Sequence, residues 1–125
     1  MIRKVAVEGD FTLGEVVNLF ELKFAKYLNV SYALGVGSGT DALFLGLKAL
    51  GIGPGHEVIT TPFSFIATTG AIVQAGALPV FCDVSIEDFN LLPGGIIEKI
   101  GPKTRAVLPV DRKSTRLNSS HANIS

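Results

Sequence analysis

Between Tyr32 and Val110 short apolar runs take turns with amphipathic stretches, and a glycine or proline stands close to most of the changeovers. Strands separated by single helices and short loops run parallel, because each helix carries the chain back to the edge where the next strand begins. That alternation predicts half of an open α/β sheet. It reads as a strand over Tyr32–Val36, a helix over Ser38–Leu50 with Leu43, Leu47 and Leu50 inward, and Gly51 as its stop. A strand over Glu57–Thr61, a helix over Ile66–Ala75 and a strand over Leu78–Cys82 follow, then a helix over Pro93–Ile100 and a strand over Arg105–Val110. The branched pair Val58-Ile59 suits a strand covered on both faces.

Upstream, Thr12-Leu13-Gly14-Glu15 has the form of a capping box, in which threonine and glutamate satisfy the first free amides of a helix. A helix is expected over Leu13–Leu28. Val16, Val17, Phe20, Phe24 and Leu28 recur at three and four residues and form the inward stripe, with Glu15, Glu21, Lys23 and Lys26 toward water.

A chain of 125 residues can hide one modest core, so at most one domain is expected. Although 47% of residues are hydrophobic, no run approaches the ~18 apolar residues of a membrane span. The opening MIRKVAVEGDFTLGE lacks the apolar core and cleavage site of a secretory signal, which points to a soluble, cytoplasmic protein. Cys82 is the single cysteine and reads as a buried thiol, not as part of a disulfide framework or a multi-cysteine metal site. Eleven basic residues balance eleven acidic ones with no clustered basic face, so nucleic acid is not an expected partner. After Val110 the composition breaks: DRKSTRLNSSHANIS holds two large apolar aliphatics and no period. RKSTRLNSSH resembles a translated sequencing adapter, and residues 111–125 are expected to be a non-native, disordered tail.

In open parallel sheets, ligands sit beyond the carboxyl ends of the strands, where loops lead into helix N-termini. At the first such end, Gly35 to Asp41 reads GVGSGTD. Two glycines let the backbone approach an anion, while Ser38 and Thr40 offer hydroxyls beside the amides of Gly39, Thr40 and Asp41. A phosphate fits this turn; a tight turn with Ser38 as a plain helix cap fits it equally well. A Rossmann fingerprint is excluded by the missing third glycine, and a Walker loop by the missing Gly-Lys-Ser/Thr. The second end, Thr60 to Thr68, carries hydroxyls and aromatics toward the same crevice. Phe65 could lie flat on a planar heteroaromatic ligand, whereas Phe63 reads as core. Asp83 reads as a loop residue, and His56 as exposed at the opposite, amino end of the strands.

With those residues in place, GVGSGTDALFLGLKALGIGPGHEVITTPFSFIATTGAIVQAGALPVFCDV closely resembles a segment of the DegT/DnrJ/EryC1/StrS aminotransferases. The likeness extends from about Gly9 to Val110; the entry helix FTLGEVVNLFELKFAKYLNVSYALGV and the strand KTRAVLPV share in it, while Asp111 departs from the histidine-like residue usual there. The resemblance implies a fold-type-I pyridoxal-phosphate enzyme, with this chain as the N-terminal part of its three-layer, parallel-sheet large domain over residues 1–110. By position it places Gly39, Thr40 and Asp41 in the turn that holds the phosphate of pyridoxal 5′-phosphate, and Phe65 at the aromatic position stacked on the pyridine ring. It further implies a homodimer that aminates a keto-sugar linked to a nucleotide, with an amino donor such as glutamate. A sugar dehydratase of the same family and a non-catalytic phosphate-binding domain are the alternatives.

Amino-group transfer needs a lysine to hold the cofactor and move the proton, and a carboxylate to keep the pyridine nitrogen protonated. Neither can be assigned here. Lys4, Lys23, Lys26, Lys48, Lys99, Lys103 and Lys113 lie on helix faces, in loops or in the tail. The resemblance implies that both groups come from later in a longer chain, so these 125 residues alone are expected to be inert, with no catalytic residue and no metal.

Overall fold

The computed structural model describes residues 6, 7, 9, 12 and 14–111. Leu13, and the proposed tail beyond Asp111, lie outside the described residues. The chain divides into two compact units, Met1–Gly37 and Ser38–Ser125.

In the first unit, helix α1 spans Glu15–Tyr27. Its N-cap is Gly14, without a side-chain cap, and the amides of Val17 and Asn18 donate to the Gly14 carbonyl. The capping box expected at Thr12 therefore does not form. With the start two residues later, Glu15 becomes the first helical residue instead of the third, and its charge lies against the positive end of the helix dipole. At the far end Asn29 takes a left-handed φ of 53°. Its amide donates to Lys26 and that of Val30 to Ala25, the paired bonds of a Schellman stop.

The strand expected over Tyr32–Val36 is absent. A strand exists only through a ladder, and this stretch pairs with none. Instead the Gly35 amide donates to Glu21 Oε1 at 2.6 Å, which draws the segment back onto α1. Glu21, expected in water, is half-buried by that task. The apolar stripe is not buried as expected: Phe20, Phe24 and Leu28 stay exposed and Ala25 alone is buried. Phe20 stacks on Phe24 at 5.4 Å, and Phe24 on Tyr27 at 6.5 Å.

The second unit follows the alternation closely. Helix α2 is Gly39–Ala49, β1 Glu57–Thr60, α3 Ala67–Gln74, β2 Leu78–Phe81, α4 Pro93–Lys99 and β3 Thr104–Val107. The sheet is parallel, ordered β2-β1-β3, with Ile59 opposite Val80 on one side and Val107 on the other. Pro79, which lacks an amide hydrogen, stands in the outer strand β2, where a missing donor leaves β1 unharmed. Val58 and Ile59 point to opposite faces and both are 0% exposed, so the central strand is covered on both sides as expected.

On the Val58 face, Leu47 of α2 and Ile72 and Ala75 of α3 gather with Ile52 and Ala77 into the core, and Phe44, Ala106 and Leu108 pack around it. Each large aliphatic buried there contributes about 1.5–3 kcal/mol. Leu50 is not inward as expected but exposed at the C-cap. Its place is taken by Ile52, because α2 ends in a second Schellman stop: Gly51 turns left-handed at φ +72°, its amide bonds Lys48 and the Ile52 amide bonds Leu47. Gly76 (φ +87°) ends α3 identically, and Ala77 enters the core.

Cys82 is buried as expected. A Cβ at Gly95 would lie 2.9 Å from its Sγ, so only glycine lets α4 approach so closely. His56 sits at the amino end of the strands as read, but it is half-buried, and its Nδ1 accepts from the Gly53 amide at 3.2 Å.

Candidate functional site

The chain returns from the end of α2 to the start of β1, so the start of α2 lies toward the opposite edge, where β1 ends. The loop 61–66 leaves β1 at that edge and leads into α3. Topology thus brings the two sequence-predicted segments, Gly39-Thr40-Asp41 and the Phe65 loop, to the carboxyl edge of one sheet.

Ser38 is the N-cap of α2, in extended backbone. Its hydroxyl oxygen accepts from the Asp41 amide at 3.1 Å and its proton goes to Asp41 Oδ2 at 2.9 Å. The cap reading of Ser38 is therefore realised, and the Asp41 amide already has a partner. Gly39 and Thr40, as the first two helical residues, have no carbonyl four positions back within α2 to bond their amides. A Cβ built on Gly39 meets nothing within 4 Å, so there is open space beside this residue. The partial positive charge there favours an anion. Asp41 adds a carboxylate at the same end, turned onto the Ser38 hydroxyl.

Phe65 is 76% exposed. Its loop is nonetheless tied down. Thr60 and Thr61 are fully buried; Thr60 Oγ1 donates to the Leu108 carbonyl at 2.9 Å, and Thr61 Oγ1 accepts from the Phe63 amide at 3.0 Å. Phe63 is not core as expected but 49% exposed, its ring 5.4 Å from that of Phe89. Asp83 serves structurally, through its carbonyl, which accepts from the Leu92 amide.

Sequence reasoning missed Phe89. It stands in segment 83–92, where the Phe89 amide bonds the Ser85 carbonyl and Val84 pairs with Leu91 across an antiparallel bridge. Phe89 has φ 59°, a conformation that costs a bulky residue about 1–2 kcal/mol. The turn-forming Ser85, Asp88 and Asn90 signalled a tight turn, but nothing in the sequence marks the phenylalanine as the left-handed residue.

A helix N-terminus and an exposed aromatic at the carboxyl edge of a parallel sheet occupy the place where open α/β sheets bind ligands. The sequence profile of the DegT/DnrJ/EryC1/StrS aminotransferase family matches residues 1–113, and the chain belongs to that family. It is 44% identical over 110 residues to a pleiotropic regulatory protein of Geobacillus stearothermophilus, covering 88% of this chain and 30% of that protein. A UDP-N-acetyl-3-dehydro-alpha-D-glucosamine 3-aminotransferase of Acidithiobacillus ferrooxidans is 43% identical over 109 residues, covering 87% of this chain and 30% of the relative. The crystal structure of NtdA from Bacillus subtilis with bound cofactor PMP superposes with a TM-score of 0.82 at 34% identity, over 99% of this chain and 30% of that one. The chain thus spans about a third of the length of the relatives it matches, and the fold is the corresponding part of a fold-type-I aminotransferase large domain. Among the described residues, no helix is long and apolar enough to cross a membrane.

Proposed function

We propose that this chain supplies the phosphate-and-ring half of a pyridoxal 5′-phosphate site in an aminotransferase that converts a nucleotide-linked keto-sugar to an amino-sugar, with glutamate as a fitting amino donor. The observation that carries this reading is the pairing, at one sheet edge, of the first turn of α2 with the exposed ring of Phe65. The amides of Gly39 and Thr40 and the Thr40 hydroxyl would hold the phosphate. Asp41 would join through its backbone once its amide is shared between Ser38 and the ligand. Phe65 would cover one face of the pyridine ring. When bound, the cofactor supplies an electron sink for bond-making at the carbon that carries the amino group.

Among the described residues of the second unit, no lysine stands near this edge. Lys48 lies in the last turn of α2, Lys99 in the last turn of α4 and Lys103 just before β3, all toward the amino ends of the strands. We infer that the 125 residues alone do not catalyse, and that the enzyme is a cytoplasmic homodimer of a longer chain. Titration of the chain with pyridoxal 5′-phosphate tests the site. Phe65→Ala should weaken binding roughly two- to tenfold, the equivalent of about 0.5–1.5 kcal/mol for an aromatic stack. Equal affinity in both proteins refutes the stacking role. Borohydride treatment of the loaded chain followed by intact mass should give no stoichiometric adduct; a single modified lysine overturns the inference of inertness.

A further inference from the structure

Phe89 is a bulky residue in a left-handed conformation that a glycine would adopt freely. The surrounding bonds hold it there: Ser85 donates to the Asn90 carbonyl at 2.9 Å, Phe89 to the Ser85 carbonyl at 2.9 Å, and Asn90 to Asp88 Oδ1 at 3.1 Å. The turn itself needs only the backbone angle. What phenylalanine adds is a ring, and that ring lies 5.4 Å from Phe63 at a tilt of 35°. Phe63, two residues before Phe65, is in turn fixed by its amide bond to the buried Thr61. The loop is bonded on its far side as well, where the Thr68 amide donates to the Phe65 carbonyl at 3.3 Å.

We propose that Phe89 is a positioning residue for the cofactor ring: from its left-handed backbone it braces Phe63 and thereby sets the loop that presents Phe65. The proposal rests on the reading that Phe65 stacks on pyridoxal phosphate. Strain at Phe89 is retained because segment 83–92 and loop 61–66, on different crossovers, are joined through this ring pair. An aromatic site tolerates little tilt of its stacking ring, so a loosened brace would lower affinity without removing any group that touches the ligand.

The test is amide hydrogen exchange of the full chain, with and without pyridoxal 5′-phosphate, in wild type, Phe89→Gly and Phe89→Tyr. Phe89→Gly keeps the backbone angle and removes the brace. Exchange over residues 62–67 should speed up roughly threefold or more, while Val58 and Ile59 keep wild-type protection. Phe89→Tyr, which restores a ring, should exchange as wild type does. Affinity for pyridoxal phosphate should fall roughly threefold in Phe89→Gly and be retained in Phe89→Tyr. Should Phe89→Gly fail to fold, Phe63→Ala removes the brace from the other side and should loosen residues 85–90. Unchanged exchange over 62–67 in Phe89→Gly, or over 85–90 in Phe63→Ala, overturns the proposal. If the exchange changes appear but wild type binds no pyridoxal phosphate, the brace stands and the cofactor reading falls.

Discussion

Helix α1 and strand β1 are both rich in apolar residues, and they meet opposite fates. In β1 Val58, Ile59 and Thr60 are all 0% exposed, whereas on the stripe of α1 Phe20 remains 59% exposed and the one buried residue of the helix, Ala25, lies off that stripe. Periodicity decides which side chains share a face; burial requires another layer against that face. A strand paired on both sides, with α2 and α3 against it, receives that layer. The rings of α1 turn to each other instead, Phe20 to Phe24 and Phe24 to Tyr27.

The largest expected effect sharpens this contrast. Ile72 is fully buried in the core, and Ile72→Ala should cost about 2–5 kcal/mol through lost transfer energy and the cavity left behind. Phe20→Ala, on the exposed stripe, should cost less than about 1 kcal/mol. Urea unfolding of the two variants measures both. A Phe20→Ala loss as large as that of Ile72→Ala would abolish the distinction.

Glycines carry the contrast to the backbone. A Cβ at Gly76 would meet the Pro54 ring at 3.1 Å at a φ of +87°, while one at Gly39 meets nothing within 4 Å. Gly76→Ala should therefore lose about 1–2 kcal/mol or more from left-handed strain and contact. Gly39→Ala should stay within about 0.5 kcal/mol of wild type in thermal unfolding. On the proposed reading Gly39→Ala should nevertheless weaken pyridoxal phosphate binding, because it adds a methyl group at the residue whose amide would hold the phosphate.

The next step down is the cap. Ser38 holds the Asp41 amide, and Ser38→Ala should destabilise by about 1 kcal/mol, with Ser38→Gly losing only a few tenths. A loss in Ser38→Ala no larger than in Ser38→Gly would show that the hydroxyl contributes nothing to α2.

These variants also mark where the sequence was readable. The alternation of Ser38 to Val107 matches every helix and strand described in the second unit within a few residues, because turn glycines, capping residues and buried β-branched pairs are local signals. Gly51 and Gly76 are examples: each ends a helix for reasons written into its own backbone. The same local logic failed at Tyr32–Val36, where a strand needs a partner that no local pattern supplies. It failed at Thr12 because a competing start at Gly14 lay two residues away. At the candidate site, Gly39, Thr40, Asp41 and Phe65 come to one sheet edge by topology alone, which follows from their position along the chain. Phe89 could not be found in that way, because its ring meets Phe63 across two separate crossovers.

Segment 83–92 adds a third way of fixing the chain, through polar bonds made at the surface. The Asn90 side chain donates to Asp88 Oδ2 at 3.0 Å and the Asn90 amide to Oδ1 at 3.1 Å. The Asn90 side chain, then its amide, hold the Asp88 carboxyl below its ordinary value of 3.8. A lowered pKa in the folded chain means that the carboxylate form stabilises the fold. That contribution is present above pH 3.8 and is lost as the pH falls from there through the folded value. The effect is the smallest considered, because an exposed bond competes with water. NMR titration of the Asp88 carboxyl should give a midpoint below 3.8 in wild type, rising toward that value in Asn90→Ala, which removes the first of the two donors. An unchanged midpoint in Asn90→Ala would mean that the side-chain bond is not what lowers it, and that this loop is held by its backbone alone.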